Sequence, residues 1–227
     1  MTNRLKYLFL FFGMWLSLAT YAQRNDMNLG MSLSGDLEKK LNHRWDLSIG
    51  EEVRLANNST VFNRSTTNIG LDYTIFNRKV KVGAYYAFIY LYNNDYLFEA
   101  RHRYYFNLSY KEAVGRYTLS WRGRFQGTQR DENRGMYKVN PKYVMKNKFQ
   151  VEYSVWGRPW KPFISGDLST ELNNPMGNEL TRIRYEAGTA WRLNKTDFID
   201  FFVRFDQYTD SQEPYVLALG IGYKLKL

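Results

Sequence analysis

The sequence predicts an all-β fold, a transmembrane antiparallel up-and-down β-barrel of about 12 strands, with ten as the fallback. Apolar and polar residues alternate with a period of two through most of the chain, which is typical of strands with two different faces. Many of these rows exceed the about 5–6 residues of strands in soluble sheets. Aromatic residues make up 18% of the chain, with 19 tyrosines, as expected of a lipid-facing band with aromatic girdles.

The first residues have the pattern of a secretory signal peptide. Arg4 and Lys6 precede an apolar run over residues 7–18, and small residues follow. This run is too short to cross a bilayer as a helix. We therefore expect residues 1–22 to be a signal peptide and residues 23–227 to form a single barrel domain in the cell outer membrane.

The first five strands are expected between residues 27 and 110. We place them at 27–41, 45–55, 64–75, 80–92 and 96–110. Their apolar rows, which we take as outward, include Leu29 and Leu33, Leu47 and Ile49, Ile69 and Leu71, Phe88 and Tyr90, and Phe106 and Leu108. Short polar segments between the strands turn the chain.

The second half repeats this pattern. We place its strands at 116–126, 143–155, 163–171, 181–192, 198–207 and 215–227. Residues 143–155 keep one apolar parity despite Asn147, so they form one long strand. The longest polar stretch, 127–140, is a loop. All five prolines fall in turns, loops or strand edges, as a closed ladder of hydrogen bonds requires.

The last strand, 215–227, shows the alternation most clearly. Its odd positions are all large and apolar, and its even positions run from small to charged. A strand of about 9–11 residues tilted by about 45° crosses a bilayer, so this segment is long enough. An open sheet edge in lipid would leave backbone groups unsatisfied, so the other strands must close a barrel around it.

The predicted strands number eleven, which is an odd number. Bacterial single-chain barrels normally have an even number of strands, with both ends of the chain on the periplasmic side. We therefore expect either that 27–41 splits near Gly35 into two strands, or that the N-terminal segment passes through the lumen. The longer loops then face outside, and the short turns face the periplasm.

Charged residues on the inward parity concentrate toward the outer strand ends, and we expect them to form a charged belt in the lumen. The belt consists of Glu52, Arg54, Arg64, Glu99, Arg101, Arg103, Arg122, Arg124, Asp167, Glu171, Arg182, Arg184, Glu186, Arg204 and Asp206. Ion pairs in this belt could fill and lock a narrow barrel, since a buried charge must be paired. Alternatively, because arginines outnumber carboxylates, the belt could select anionic solutes. The periplasmic half of the lumen is expected to carry smaller or neutral residues.

A second inward feature is the apolar row Tyr85, Ala87, Ile89 and Leu91. It lies on the inward face of the barrel, which should contact water. We expect it either to pack against the N-terminal segment or to form one wall of a site for an amphipathic ligand.

Four segments carry a resemblance to a known family: residues 37–42, 47–55, 101–104 and 122–126. With these segments the chain resembles a family of small exported β-barrel proteins of unknown function from Gram-negative outer membranes. The resemblance extends over nearly the whole chain after the signal peptide. It implies a barrel fold and an outer-membrane location, and it supplies no catalytic residues.

Catalytic chemistry finds little support in the sequence. Only two histidines are present, His43 in a turn and His102 on the lipid-facing parity, so neither lies beside a nucleophile. The chain has no cysteine and no histidine cluster for zinc. Asp167 with Glu171 could serve as an acid and base pair, but arginines nearby favour their ionised forms. We predict no enzyme activity, no cofactor and no metal.

The formal net charge of +10 would favour nucleic acid as a partner in a cytosolic protein. An exported chain instead uses such charge in the lumen and against anionic lipid head groups, so we expect no nucleic acid. The expected partners are outer-membrane lipid and a small anionic or amphipathic solute. The function predicted is a narrow or occluded, porin-like pore or a structural and interaction scaffold. A channel or transporter for such solutes is the first alternative, and a lipid-modifying enzyme is the second.

Overall fold

The residues that the structure describes form eleven β-strands. The structure is a computed structural model described over residues 27–57, 59–76, 79–92, 98–130, 139–209 and 215–227, so the expected signal peptide lies outside the described residues. The strands are β1 (Met27–Lys40), β2 (Trp45–Ala56), β3 (Val61–Ile75), β4 (Val80–Tyr92), β5 (Phe98–Val114), β6 (Tyr117–Arg130), β7 (Lys142–Tyr153), β8 (Trp160–Glu171), β9 (Glu179–Arg192), β10 (Asp197–Tyr208) and β11 (Tyr215–Lys226). Within these ranges, no helix has the length and apolarity needed to cross a membrane.

The strands close into one barrel, which confirms the predicted all-β class. Consecutive strands pair antiparallel, and β1 pairs parallel with β11 from Met27 opposite Tyr215 to Glu38 opposite Lys226. The strand number is eleven, between the twelve and the ten expected. The expected split near Gly35 is absent, because Gly35 pairs with Tyr223 on one side and Glu51 on the other. With an odd number of strands in up-and-down order, the first and last strands run in the same direction. The barrel therefore closes through a parallel pair and has no open sheet edge.

The two faces of the barrel are opposite in character. Large apolar side chains are exposed on the outside, such as Phe106 and Phe149 at 56% each and Ile164 at 64%. Polar and charged side chains are buried inside, such as Asp206 at 2% and Gln126 at 4%. A water-soluble protein has the reverse distribution.

The two ends of the barrel also differ. We call the end that carries the connections after β2, β4, β6, β8 and β10 the loop end, and the opposite end the turn end. Outward aromatic pairs mark both ends of the apolar surface. Trp45 and Tyr73 lie 4.7 Å apart at the turn end, and Tyr90 and Phe98 stack at 4.7 Å at the loop end. Aromatic residues at two such levels are typical of proteins that contact both membrane interfaces.

Glycines on the inward face make room for aromatic rings in the narrow interior. A Cβ atom at Gly70 would lie 1.9 Å from Cδ1 of Tyr85, and one at Gly220 would lie 2.0 Å from Cζ of Phe202. Larger residues at these positions would displace the rings. At these two positions, aromatic rings therefore occupy the space beside the glycines.

Candidate functional site: the charged lumen

The charged residues predicted for the belt all lie in strands, on positions that point into the barrel. The strand register shows this direction, because each of these residues pairs with another inward residue on a neighbouring strand. Arg184, for example, lies opposite Asp206 and Asp167. They occupy the middle and the loop-end part of the strands. The structure divides them into a group paired with carboxylates and a group that lacks such partners.

The paired group is centred on Asp206, which is 2% exposed. Arg184 donates to both of its carboxylate oxygens, at 2.5 and 2.8 Å, and Nε of Arg204 lies 3.6 Å from Oδ2. Glu52 forms the second centre: it accepts hydrogen bonds from Arg54 at 2.8 Å and from Ser32 at 2.7 Å. The Arg184–Asp206 ion pair joins β9 to β10, and Arg204 on β10 lies 4.0 Å from Glu52 on β2. The Ser32 hydrogen bond joins β1 to β2. Such contacts are of the kind that the locking interpretation of the belt expects.

Further ion pairs bring in lysines that the sequence interpretation missed. Lys148 lies 3.1 Å from Glu186, and Lys142 lies 2.5 Å from Glu171. Both lysines are on the inward parity of β7, where the alternation of that strand could have revealed them. Arg101 binds Glu99 at 2.8 Å.

The turn-end half of the lumen is charged as well, which corrects the expectation of smaller or neutral residues there. Lys81 lies 2.8 Å from Asp46, and Lys224 and Lys226 lie 3.2 and 3.3 Å from Glu38. Each of these cations therefore has a carboxylate beside it.

Several inward cations have no carboxylate within ion-pair distance among the described residues, and five of them lie on strands β3, β5, β6 and β7, away from the strand ends. We call them the cation cluster: Arg64, Arg103, Arg122, Arg124 and Lys146. Their hydrogen-bond partners are neutral. Arg103 donates to Oγ1 of Thr128 at 3.0 Å, and Arg124 donates to Oδ1 of Asn107 at 2.8 Å. Arg64 donates to Oδ1 of Asn63 at 3.0 Å.

The members of the cluster lie close enough to repel one another. Arg124 and Lys146 are directly opposed across β6 and β7, and like charges in that arrangement destabilise a sheet. Lys146 has no hydrogen-bond or ion-pair partner in the described part of the chain. Arg103 and Arg182 also act on it as like charges, with Asp167 as the opposing one. The lumen therefore concentrates positive charge that its own carboxylates do not neutralise.

Comparison with known proteins adds the family. A family model described as a protein of unknown function, DUF2490, matches residues 12–215. The chain belongs to this family. No curated protein matches it. The match agrees with the resemblance to a barrel family of unknown function.

The apolar inward row of this DUF2490 chain is part of the wall beside the cation cluster. Ala87 and Ile89 are 0% and 1% exposed. Tyr85 stacks on Tyr105 at 4.8 Å and donates to Asp72 at 2.6 Å. Arg124 lies over the other ring of this pair, 4.1 Å from the Tyr105 centroid. A contact of the row with the N-terminal segment would involve residues outside the described ranges.

The residues considered for catalysis remain apart in the DUF2490 barrel. His43 lies in the turn after β1, and His102 is on the outward face, with Nδ1 2.5 Å from the Tyr86 hydroxyl. Asp167 and Glu171 share a strand, and each faces a cation: Arg182 lies 4.0 Å from Asp167, and Lys142 accompanies Glu171. In the described ranges no group of three or more His, Cys, Asp and Glu side chains could hold a metal ion.

Proposed function

We propose that this DUF2490 protein spans the outer membrane of a Gram-negative bacterium and binds small anions in its lumen. The observation that carries the anion proposal is the cation cluster, in which five basic side chains converge without carboxylate partners among the described residues. The membrane proposal is carried by the apolar outer face. In this proposal the protein is exported through its signal peptide and is not an enzyme.

The dimensions of the strands support a membrane location. The shortest strands have 12 residues. Such a strand is about 40 Å long and, with a tilt of about 40°, rises by about 30 Å. This height equals the hydrocarbon thickness of a typical bilayer, about 30 Å. The aromatic pairs at both ends then lie at the two interfaces, with the loop end outside.

The energetics of the lumen support an anionic ligand. A buried charge without a counter-charge carries a desolvation penalty of several kcal/mol, and a bound anion offsets it for several cations at once. Each guanidinium has five donors, and Arg103 and Arg124 each use one on a neutral side chain. The remaining N–H groups are available to an oxyanion, which arginine binds in a bidentate manner.

A closed structural scaffold is the second candidate. The ion pairs around Asp206 favour it, because they join β9 to β10 and β10 to β2, and Asp206 and Arg204 are buried. The stability of such a scaffold should not depend on which anion is present. The two candidates therefore differ in whether anions stabilise the folded barrel.

Anion binding should stabilise the folded barrel. We expect sulfate or phosphate to raise the thermal unfolding temperature of detergent-solubilised protein above its value in chloride at equal ionic strength, because the oxyanion binds only the folded lumen. A ligand at 100 times its Kd contributes about 2.7 kcal/mol. The measurement is a thermal melt followed by circular dichroism.

Reversal potentials in planar bilayers test passage of the anion. An open lumen with this charge should give anion-selective conductance in a salt gradient. An equal melting temperature in all the salts, together with no conductance, would contradict the anion proposal and favour the scaffold.

A further inference from the structure

Lys146 lies within a row of inward residues that crosses four neighbouring strands. The row runs from Arg124 on β6 through Lys146 on β7 and Ser169 on β8 to Arg182 on β9, and each residue is directly opposed to the next. Neighbouring strands are about 4.8 Å apart, so the backbones of Arg124 and Arg182 are about 14 Å apart along the row. Lys146 therefore lies between two arginines whose strands do not pair with each other.

Contacts with neutral groups hold the two guanidinium groups on opposite sides of Lys146. Nε of Arg124 donates to Oδ1 of Asn107 on β5, and its guanidinium lies over a tyrosine ring of that same strand. Nη2 of Arg182 donates instead to Oγ of Ser169 on β8, at 3.3 Å. The ammonium group of Lys146 has no hydrogen-bond or ion-pair partner among the described residues. It is therefore available to a ligand on both sides.

The charge around this row is positive overall. Arg103 and the two arginines of the row act on Lys146 as like charges, and Asp167 is the carboxylate that opposes them. Asp167 lies 4.0 Å from Nη2 of Arg182 and accepts a hydrogen bond from Ser169. Among these residues, four cations and one carboxylate leave an excess of three positive charges. A single small oxyanion would leave part of this excess without a counter-charge, which costs free energy in a desolvated site.

We propose that the ligand of the lumen is a small solute with two oxyanion groups, and that Lys146 lies between these groups. One group binds between Arg124 and Lys146, and Arg103 acts on both of these cations. The other group binds between Lys146 and Arg182. Inward side chains converge toward the barrel axis, so the adjacent phosphoryl groups of a diphosphate reach both positions.

The closed barrel restricts the source of this ligand. The sheet has no open edge, so a lipid in the surrounding membrane does not reach the row from the side. The ligand therefore enters the lumen from water. The inference rests on the anion part of the proposed function, and it does not depend on passage of the anion through the barrel.

Titrations with inorganic phosphate and with diphosphate test the two positions. We expect the detergent-solubilised protein to bind diphosphate at least tenfold more tightly than phosphate, because only diphosphate occupies both positions. Isothermal titration calorimetry, at equal ionic strength and without divalent cations, gives both Kd values. Equal Kd values would overturn this inference and leave the anion proposal intact, whereas binding of neither anion would contradict both.

Single variants separate two defined positions from general attraction between charges. Arg182→Gln should remove the preference for diphosphate and leave the Kd for phosphate nearly unchanged, because phosphate binds between Arg124 and Lys146. Lys146→Gln should weaken the binding of both anions, because its ammonium group contributes to both positions. Melting temperatures without anion check that each variant is folded.

Lys148→Gln is the matched control. Lys148 is the next inward residue of β7, and it lies 3.1 Å from Glu186, so its replacement removes the same charge from a cation that already has a partner. This variant should keep the preference for diphosphate. An Arg182→Gln variant that keeps the preference, or a Lys148→Gln variant that loses it as fully as Arg182→Gln, would refute the two-position site.

Discussion

Replacing Asp206 by Ala should lower the free energy of unfolding by about 3–5 kcal/mol. The carboxylate is 2% exposed and receives two hydrogen bonds from Arg184, with Arg204 beside it. Removing it leaves the buried Arg184 guanidinium without an ion-pair partner and leaves Arg204 with Glu52 alone, at 4.0 Å. Urea-induced unfolding of the barrel in lipid vesicles, followed by tryptophan fluorescence, measures the loss.

Two further variants identify the cause of this loss. Asp206→Asn keeps the shape and one acceptor, so it should lose less stability than Asp206→Ala. The double variant Asp206→Ala with Arg184→Met should lose less than the sum of the two single variants, because it also removes an orphaned charge. A change below about 1 kcal/mol for Asp206→Ala would show that water already screens these charges. The interpretation that ion pairs stabilise this part of the lumen would then be wrong.

Neutralising two members of the cation cluster, Arg124→Gln with Lys146→Gln, should lower the affinity for sulfate or phosphate at least tenfold, or about 1.4 kcal/mol. These side chains oppose each other across β6 and β7, so a bound anion would interact with both. The same change removes a repulsion between like charges. We therefore expect the double variant to be at least as stable as wild type without the anion.

The matched control removes the same net charge elsewhere in the lumen. Lys161→Gln with Lys226→Gln neutralises two inward cations near the turn end, each beside a carboxylate, Glu152 at 3.4 Å and Glu38 at 3.3 Å. This variant should retain the anion response. If both double variants lost it equally, general charge rather than the cluster would account for the response. Thermal melts in sulfate and in chloride, at matched ionic strength, measure both variants.

Local alternation predicted the eleven strands and which way their side chains point. Residues 143–155 show this: the apolar parity persists through Asn147, and β7 is continuous there. The alternation placed residues 127–130 in a loop, which is wrong, because β6 continues to Arg130. The inward direction of the belt followed from the same alternation. The Lys146 and Lys148 positions could have been included by the same reasoning, since they share the polar parity of β7.

Closure and charge pairing could not be predicted in this way. Alternation has the same form whether neighbouring strands run parallel or antiparallel. It therefore does not show that β1 continues through Gly35 or that β1 pairs parallel with β11. Ion pairing depends on register and on proximity across the lumen. Arg184 meets Asp206 on the next strand, whereas Nη1 of Arg204 lies 4.0 Å from Glu52, although β11 and β1 separate their strands.

The most direct test of the central claim, that hydrocarbon surrounds the outer rows, is nitroxide accessibility in lipid vesicles. Spin labels at Leu33→Cys, Phe201→Cys and Leu219→Cys, on three outward rows, are compared with one at the inward Lys224→Cys. We predict that the outward labels collide with oxygen, which is enriched in hydrocarbon, and are shielded from a water-soluble nickel chelate, while the inward label shows the reverse. Outward labels as accessible to the nickel chelate as those on a soluble protein would contradict the account.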